Sequence, residues 1–177
     1  MHDAPSVAWQ EELFGLLKEA RVRQVAWVPD AGHAHVIDRV LADPEMLGIP
    51  LTTEEEGVAL SSGAWLGGDR AVLLMQSSGV GNCVNMLSLV STCRFPFLAL
   101  VTMRGEWEER NEWQVPMGRA TEIVLEAMGV RVVRAEEPDQ VVPAVREALE
   151  AAYGREEAVA VLLSQRLVGR KDWGDGR

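Results

Sequence analysis

No run of about 18 apolar residues occurs in the 177-residue chain, so no membrane-spanning helix is expected. Cysteine is scarce. Cys83 and Cys93 are the only two, they sit in apolar surroundings, and they build no disulfide framework; buried free thiols are expected. Histidine is scarce too. His33 and His35 stand two apart, so they share no helix face, and no metal-ligand pattern is completed around them; a metal site is not expected. There is no Gly-x-Ser-x-Gly and no cysteine beside a histidine, so no activated nucleophile is indicated. Positive charge is in deficit: 17 Lys and Arg against 27 Asp and Glu give a net charge of −10. Without a basic stripe to displace counterions, nucleic acid and anionic membranes are poor partners. A small anionic substrate is not excluded, but it needs local cations. The start, Met1-His2-Asp3-Ala4-Pro5, has neither the basic end nor the apolar run of a signal peptide, and a cytoplasmic protein is expected. Tyrosine occurs once, against six tryptophans. Trp9, Trp107, Trp113 and Trp173 fall in segments that read as surface, which points to a partner chain.

What is present is an alternation of strands and helices. The 47% hydrophobic content and the length suit one domain, residues 1–165, followed by a tail, 166–177. Val7 to Ala20 has the apolar spacing of an amphipathic helix. Gln24 to Val28 reads as a strand, His33 to Leu41 as a helix, and Pro50 to Thr52 as a short strand. The spacing predicts a helix over 54–66, a strand over 71–75, a turn over 76–82 and a helix over 83–90. Phe95 to Thr102 reads as a buried strand. Residues 103–116 lack any period and read as a long loop, which in a compact domain is often functional. A helix over 117–127, a strand over 130–133, a helix over 138–153 and a strand over 158–163 complete the pattern. Such alternation predicts an α/β fold: a single doubly wound parallel sheet with helices on both faces.

Right-handed crossovers place every strand-to-helix turn at one edge of such a sheet, where ligands bind. Four turns belong there: those around Pro29 to His33, Thr52 to Glu54, Gln76 to Asn82, and Met103 to Glu106. A site made of Glu54, Ser77, Ser78, Asn82, Arg104 and His33 follows from this geometry. Glu54, Glu55 and Glu56 open a helix, where the helix dipole favours carboxylates. Thr53 and Glu56 fit a capping box, while Glu54 shares a face with Val58, Ser61 and Trp65 and so can point inward at a ligand. Residues 76–82 are either an anion cradle or a tight turn. Arg104 is either an anion binder or the partner of Glu106 or Glu108 in a surface ion pair. His33 is either a polar residue of the rim or a substrate contact.

Four stretches in this order, Glu54-Glu55-Glu56-Gly57, Gly63-Ala64-Trp65-Leu66, Leu74-Met75-Gln76-Ser77-Ser78-Gly79-Val80-Gly81-Asn82 and Met103-Arg104-Gly105-Glu106, resemble the pyrimidine-binding domain of thiamine-diphosphate-dependent decarboxylases. The likeness is nearest to the sulfopyruvate decarboxylase alpha subunits, with phosphonopyruvate decarboxylase next, and covers about Val22 to Leu163. The resemblance implies a mechanism. A glutamate bonds a ring nitrogen of the cofactor's aminopyrimidine and promotes the tautomer that takes the thiazolium proton, and a 2-oxo acid is then decarboxylated. Counting back from Gly63-Ala64-Trp65, that glutamate is Glu54. The resemblance further implies that Gln76, Ser77, Ser78, Gly79 and Asn82 contact thiamine diphosphate together with Glu54. It implies that Arg104 receives a sulfonate or phosphonate and that Gln114 faces cofactor or substrate; His33 is a candidate substrate contact by its place in the turn, not by the resemblance. The family's Gly-Asp-Gly and downstream asparagine, which hold metal and diphosphate, have no counterpart beyond a coincidental Gly174-Asp175-Gly176 at the chain's end. Mg2+ and diphosphate are therefore expected on a partner beta subunit, in a hetero-oligomer. Two other roles fit the same fold: a non-catalytic regulatory or assembly subunit, and a stand-alone nucleotide or flavin binder.

Overall fold

Strands that are apolar along their whole length must be covered on both faces, and the chain meets that demand with a three-layer arrangement. In the computed structural model, which describes residues 8–169, six parallel strands form one sheet in the order β2-β1-β3-β4-β6-β5. The strands are β1 (Val22–Trp27), β2 (Leu47–Pro50), β3 (Arg70–Gln76), β4 (Phe97–Thr102), β5 (Arg131–Ala135) and β6 (Ala158–Leu163). The helices are α1 (Ala8–Glu19), α2 (Ala34–Ala42), α3 (Glu54–Leu66), α4 (Ser77–Cys83), α5 (Leu87–Cys93), α6 (Val115–Ala127), α7 (Pro138–Leu149) and α8 (Gln165–Val168). The expected fold class is the observed one.

Alternation along each strand sends side chains to opposite faces. Val25, Trp27, Val72, Leu74, Leu98, Leu100, Val159 and Val161 meet α1, α2, α7 and α8 through Leu13, Leu17, Val36, Val40, Val145 and Leu167. Ala26, Leu73, Met75, Ala99, Val101, Ala160 and Leu162 meet α3 to α6 through Val58, Val80, Leu87, Val90 and Leu125. Trp9, expected at the surface, is only 3% exposed, because it stands one helical turn before Leu13 on the same face. Trp113 fits the expectation at 83% exposed, and Trp173 lies outside the described residues.

Several boundaries moved. The second strand lies at 47–50, not 50–52, because it is fixed by pairing Gln24 with Leu47 and Trp27 with Pro50 at the sheet's edge. The helix expected over 138–153 ends at Leu149 and continues as one π-helical turn, Glu150–Gly154. The largest revision concerns residues 76–82. They are not a turn: Ser77–Cys83 is a helix, and a break at 84–86 separates it from α5. Two glycines weaken a helix by about 1 kcal/mol each, but packing against α3 and α6 overrides that preference. A Cβ at Gly79 would stand within 2.5 Å of the Glu54 side chain, so the small residue is what lets the two helices meet.

The thiols also differ from expectation. Cys83 is buried, as expected, but Cys93 is exposed at the end of α5. Burial pushes the Cys83 thiol up to about 12. A thiol reagent at pH 8 should therefore titrate Cys93 promptly and Cys83 only after denaturation.

Candidate active site

β1 is flanked by β2 on one side and β3 on the other, so the chain leaves β1 and β3 in opposite directions and a crevice opens between their carboxyl ends. A cleft of about 290 Å3 lies at that edge, lined by Val28, Pro29, Asp30, Glu54, Gln76, Ser78, Arg104, Asn111 and Gln114. Three elements, α3, β3 and α4, and the long loop thus deliver Glu54, Gln76, Ser78, Arg104 and Gln114 to one place.

Glu54 is the first residue of α3 and is 8% exposed. Its Oε2 accepts a hydrogen bond of 2.7 Å from Asn82 Nδ2 on α4. Gly79 abuts its carboxylate. A buried carboxylate with one oxygen anchored and no cation on it is suited to accept from, or give to, a ligand's ring N–H or nitrogen. The neighbouring acids behave differently, although the expected capping box is not formed. Thr53 Oγ1 donates to Glu55 Oε2 at 3.1 Å, and Glu56 Oε2 accepts from the Thr52 amide at 2.9 Å. Glu56 thus bonds the amide one residue ahead of the cap, and the Thr53 hydroxyl is turned to Glu55 instead of the helix's own amides.

Gly79→Ala tests this packing directly. The new methyl group has no room unless the Glu54 side chain moves, so Glu54 should lose its bond to Asn82 while the sheet stays intact. The expected stability loss is about 1–3 kcal/mol by thermal melting, with any activity that depends on Glu54 falling much further than stability does.

The other expected residues divide into those at the cleft and those behind it. Ser78 Oγ donates to Gln76 Oε1 at 3.0 Å, and Gln76 Nε2 reaches Asp30 Oδ1 at 3.4 Å. Asp30 also accepts from Thr102 Oγ1, which ties the ends of β1, β3 and β4 together. Gln114 lines the cleft with a buried Oε1 that has no hydrogen-bond partner among the described residues. Ser77 is fully buried behind the cleft, where its Oγ accepts from the Arg104 amide at 3.1 Å. His33 is not a rim residue. It is 1% exposed, with Nε2 3.1 Å from the Leu100 carbonyl oxygen. Because a carbonyl only accepts, Nε2 carries the proton, and burial pushes the imidazole pKa down, keeping the ring neutral.

Arg104 is 5% exposed, and its ion-pair partner is Glu109 rather than Glu106 or Glu108. The contact is bidentate: Nε and Nη2 each donate at 2.6 Å. Glu109, Gln165, Asp30, Thr102 and Asn111 were not singled out from sequence. Gln165 had a legible signal, since it follows β6, a fifth parallel strand whose carboxyl end reaches the same edge. Asp30 stood in a turn already assigned there. Glu109 had none, because a loop without period says nothing about which of its acids turns inward.

Comparison with known proteins settles the family. Sulfopyruvate decarboxylase subunit alpha of Methanothermobacter thermautotrophicus is 36% identical over 154 residues, 86% of this chain and 93% of that protein. The subunit of the same name from Methanococcus maripaludis is 34% identical, over 86% of this chain and 92% of its own length. The chain belongs to the sulfopyruvate decarboxylase alpha-subunit family. Phosphonopyruvate decarboxylase of Streptomyces viridochromogenes is also similar, 39% identical over 107 residues, but that match spans 59% of this chain and 27% of that enzyme. No family model matches. Among solved structures, 2-oxoglutarate:ferredoxin oxidoreductase from Magnetococcus marinus shares the fold with a TM-score of 0.73 at 15% identity; the match covers 95% of this chain and 34% of that one. Among the described residues no helix is long and apolar enough to cross a membrane.

Proposed function

We propose that this chain is the alpha subunit of a two-subunit, thiamine-diphosphate-dependent, cytoplasmic decarboxylase that converts sulfopyruvate to sulfoacetaldehyde and carbon dioxide. The observation that carries the reading is the placement of Glu54: a buried carboxylate, oriented by Asn82 and cradled by Gly79, at the crevice of a parallel sheet. The cleft suits the polar ring of the cofactor. It offers an acid, the Ser78 hydroxyl, the Gln76 amide and the orphaned Gln114 oxygen. When bound, thiamine diphosphate supplies the electron sink that decarboxylation of a 2-oxo acid requires.

The chain's own residues then have distinct tasks. Glu54 holds a ring nitrogen and governs the proton on it. Asn82 fixes the carboxylate so that its second oxygen has one direction. Among the described residues Arg104 is the only cation lining the cleft, and in this reading the nitrogen that Glu109 leaves unused meets the substrate's acid group. Among the described residues no cluster of acids, cysteines or histidines is arranged for a metal. In this reading Mg2+ and the diphosphate fall to the beta subunit, which would carry the family's Gly-Asp-Gly and downstream asparagine. The experiment is reconstitution: alpha chain plus the beta chain carrying the diphosphate site, with cofactor and Mg2+, should release carbon dioxide from sulfopyruvate. Either chain alone should not. Release from phosphonopyruvate but not sulfopyruvate would move the substrate assignment, and a complex inert toward every 2-oxo acid would favour a regulatory subunit.

A further inference from the structure

The long loop leaves β4 at Thr102 and enters α6 at Val115, and its two ends lie against each other. A Cβ on Gly105, whose φ is +78°, would stand 2.4 Å from the Gln114 carbonyl oxygen, and one on Gly118 would stand 2.2 Å from the Arg104 carbonyl oxygen. The loop is thus a closed strap rather than a free flap. Its interior is polar. The Glu109 carboxylate accepts from Arg104 Nε and Nη2, from Gln165 Nε2 at 2.9 Å, from the Asn111 amide at 2.9 Å and from the Gly105 amide at 3.3 Å. Gln165 is fully buried, and its Oε1 accepts from the Glu106 and Trp107 amides at 3.0 and 3.1 Å. One acid and one amide, from the loop and from the first residue of α8, pin residues 104–107 from two sides.

We propose that Glu109 and Gln165 are positioning residues for substrate recognition: they hold the Arg104 guanidinium in a single orientation, with one edge consumed and Nη1 offered to the cleft. The inference rests on the reading that Arg104 meets the substrate's acid group. Two features separate it from a merely structural ion pair. Arg104 lines the cleft together with Glu54, and Asn111 and Gln114 of the same strap form part of the cleft wall. The guanidinium is ordered before substrate arrives, so binding does not have to immobilise it. Glu109 also cancels its charge, so an anion is selected by the direction of a hydrogen bond more than by net attraction.

The test uses the reconstituted complex with sulfopyruvate. Glu109→Ala should raise KM roughly tenfold or more, the scale of one charged hydrogen bond, with kcat little changed. Added acetate, which fits the vacated receptor, should bring KM back down. Gln165→Met should shift KM in the same direction by less, and it carries the test if Glu109→Ala does not fold. Glu112→Gln, an exposed acid of the same loop, serves as the control. In the lone chain, tryptic cleavage after Arg110 should be faster in both strap variants. Unchanged KM and unchanged cleavage in folded variants would overturn the proposal. So would a KM that falls in Glu109→Ala with acetate acting as a competitor, since Glu109 would then be a plug in the anion site. Arg104→Met separates the layers. If it leaves KM unchanged, the substrate role of Arg104 fails; if it raises KM while the Glu109 and Gln165 variants do not, only the positioning role fails.

Discussion

Glu54→Gln should cut carbon dioxide release by the reconstituted complex at least about 100-fold, the low end of what a positioned proton-transfer group contributes. The substitution keeps the shape of the side chain and the contact with Gly79. An amide can still accept from Asn82 Nδ2, so the fold should lose no more than about 1 kcal/mol, within the range of a single neutral hydrogen bond. What it removes is the ability to hold or release a proton at the cleft. Glu56→Gln is the matched comparison. Its Oε2 serves only the Thr52 amide, so activity should stay near wild type. Single-turnover measurement of both variants, alongside melting curves, separates chemistry from folding. Full turnover by Glu54→Gln would remove the basis of the proposed function.

Arg104→Met should produce the largest loss of stability. It leaves Glu109 with a buried carboxylate whose two strongest donors are gone, and breaking such a pair costs about 3–5 kcal/mol. For a chain of this length that lowers the melting temperature by roughly 10 °C. The loss should depend on pH in a stated direction. In the wild type the Arg104 guanidinium holds the Glu109 carboxyl down to about 2, from an ordinary value of 4.5. A depressed carboxyl contributes stability above its unfolded value and loses it as pH falls through the folded one. The gap between wild type and Arg104→Met should therefore be full above pH 4.5 and close as pH drops toward 2. Melting curves across that window decide it; a gap that stays constant would mean that the pair contributes by packing alone.

The two predictions differ in how far the sequence foretold them. Glu54 was legible because two placements agreed. The helical spacing puts it on the face of Val58 and Ser61, and its place at the start of the helix after β2 puts it at the sheet edge, where parallel strands end. Arg104 was legible as a cation after a buried strand, but its partner was not. Glu109 lies five residues on, in a segment with no helical or strand repeat, and only the closure of the strap by Gly105 and Gly118 turns it inward. Ser77 and His33 show the converse error. Both stand in turns at the right edge, yet each is buried against backbone, Ser77 on the Arg104 amide and His33 on the Leu100 carbonyl. Position in a turn fixes which edge a residue belongs to, and only the rotation of the local backbone fixes whether it meets solvent.

The sequence by itself determined the layer order, the parallel sheet and the edge that carries the site, because uniform apolar strands alternating with amphipathic helices allow few other arrangements. It also distinguished Glu54 from Glu55 and Glu56. The tertiary structure alone decided that residues 77–83 are helical despite two glycines, since long-range packing against Glu54 and α6 outweighs local propensity. It alone decided that Asn82 orients the acid, and that Arg104 is paired with Glu109, which Gln165 bonds in turn. Two of those contacts join residues 28 and 56 positions apart, beyond the reach of any local pattern, and the third spans five residues of a loop that has no repeat to orient them.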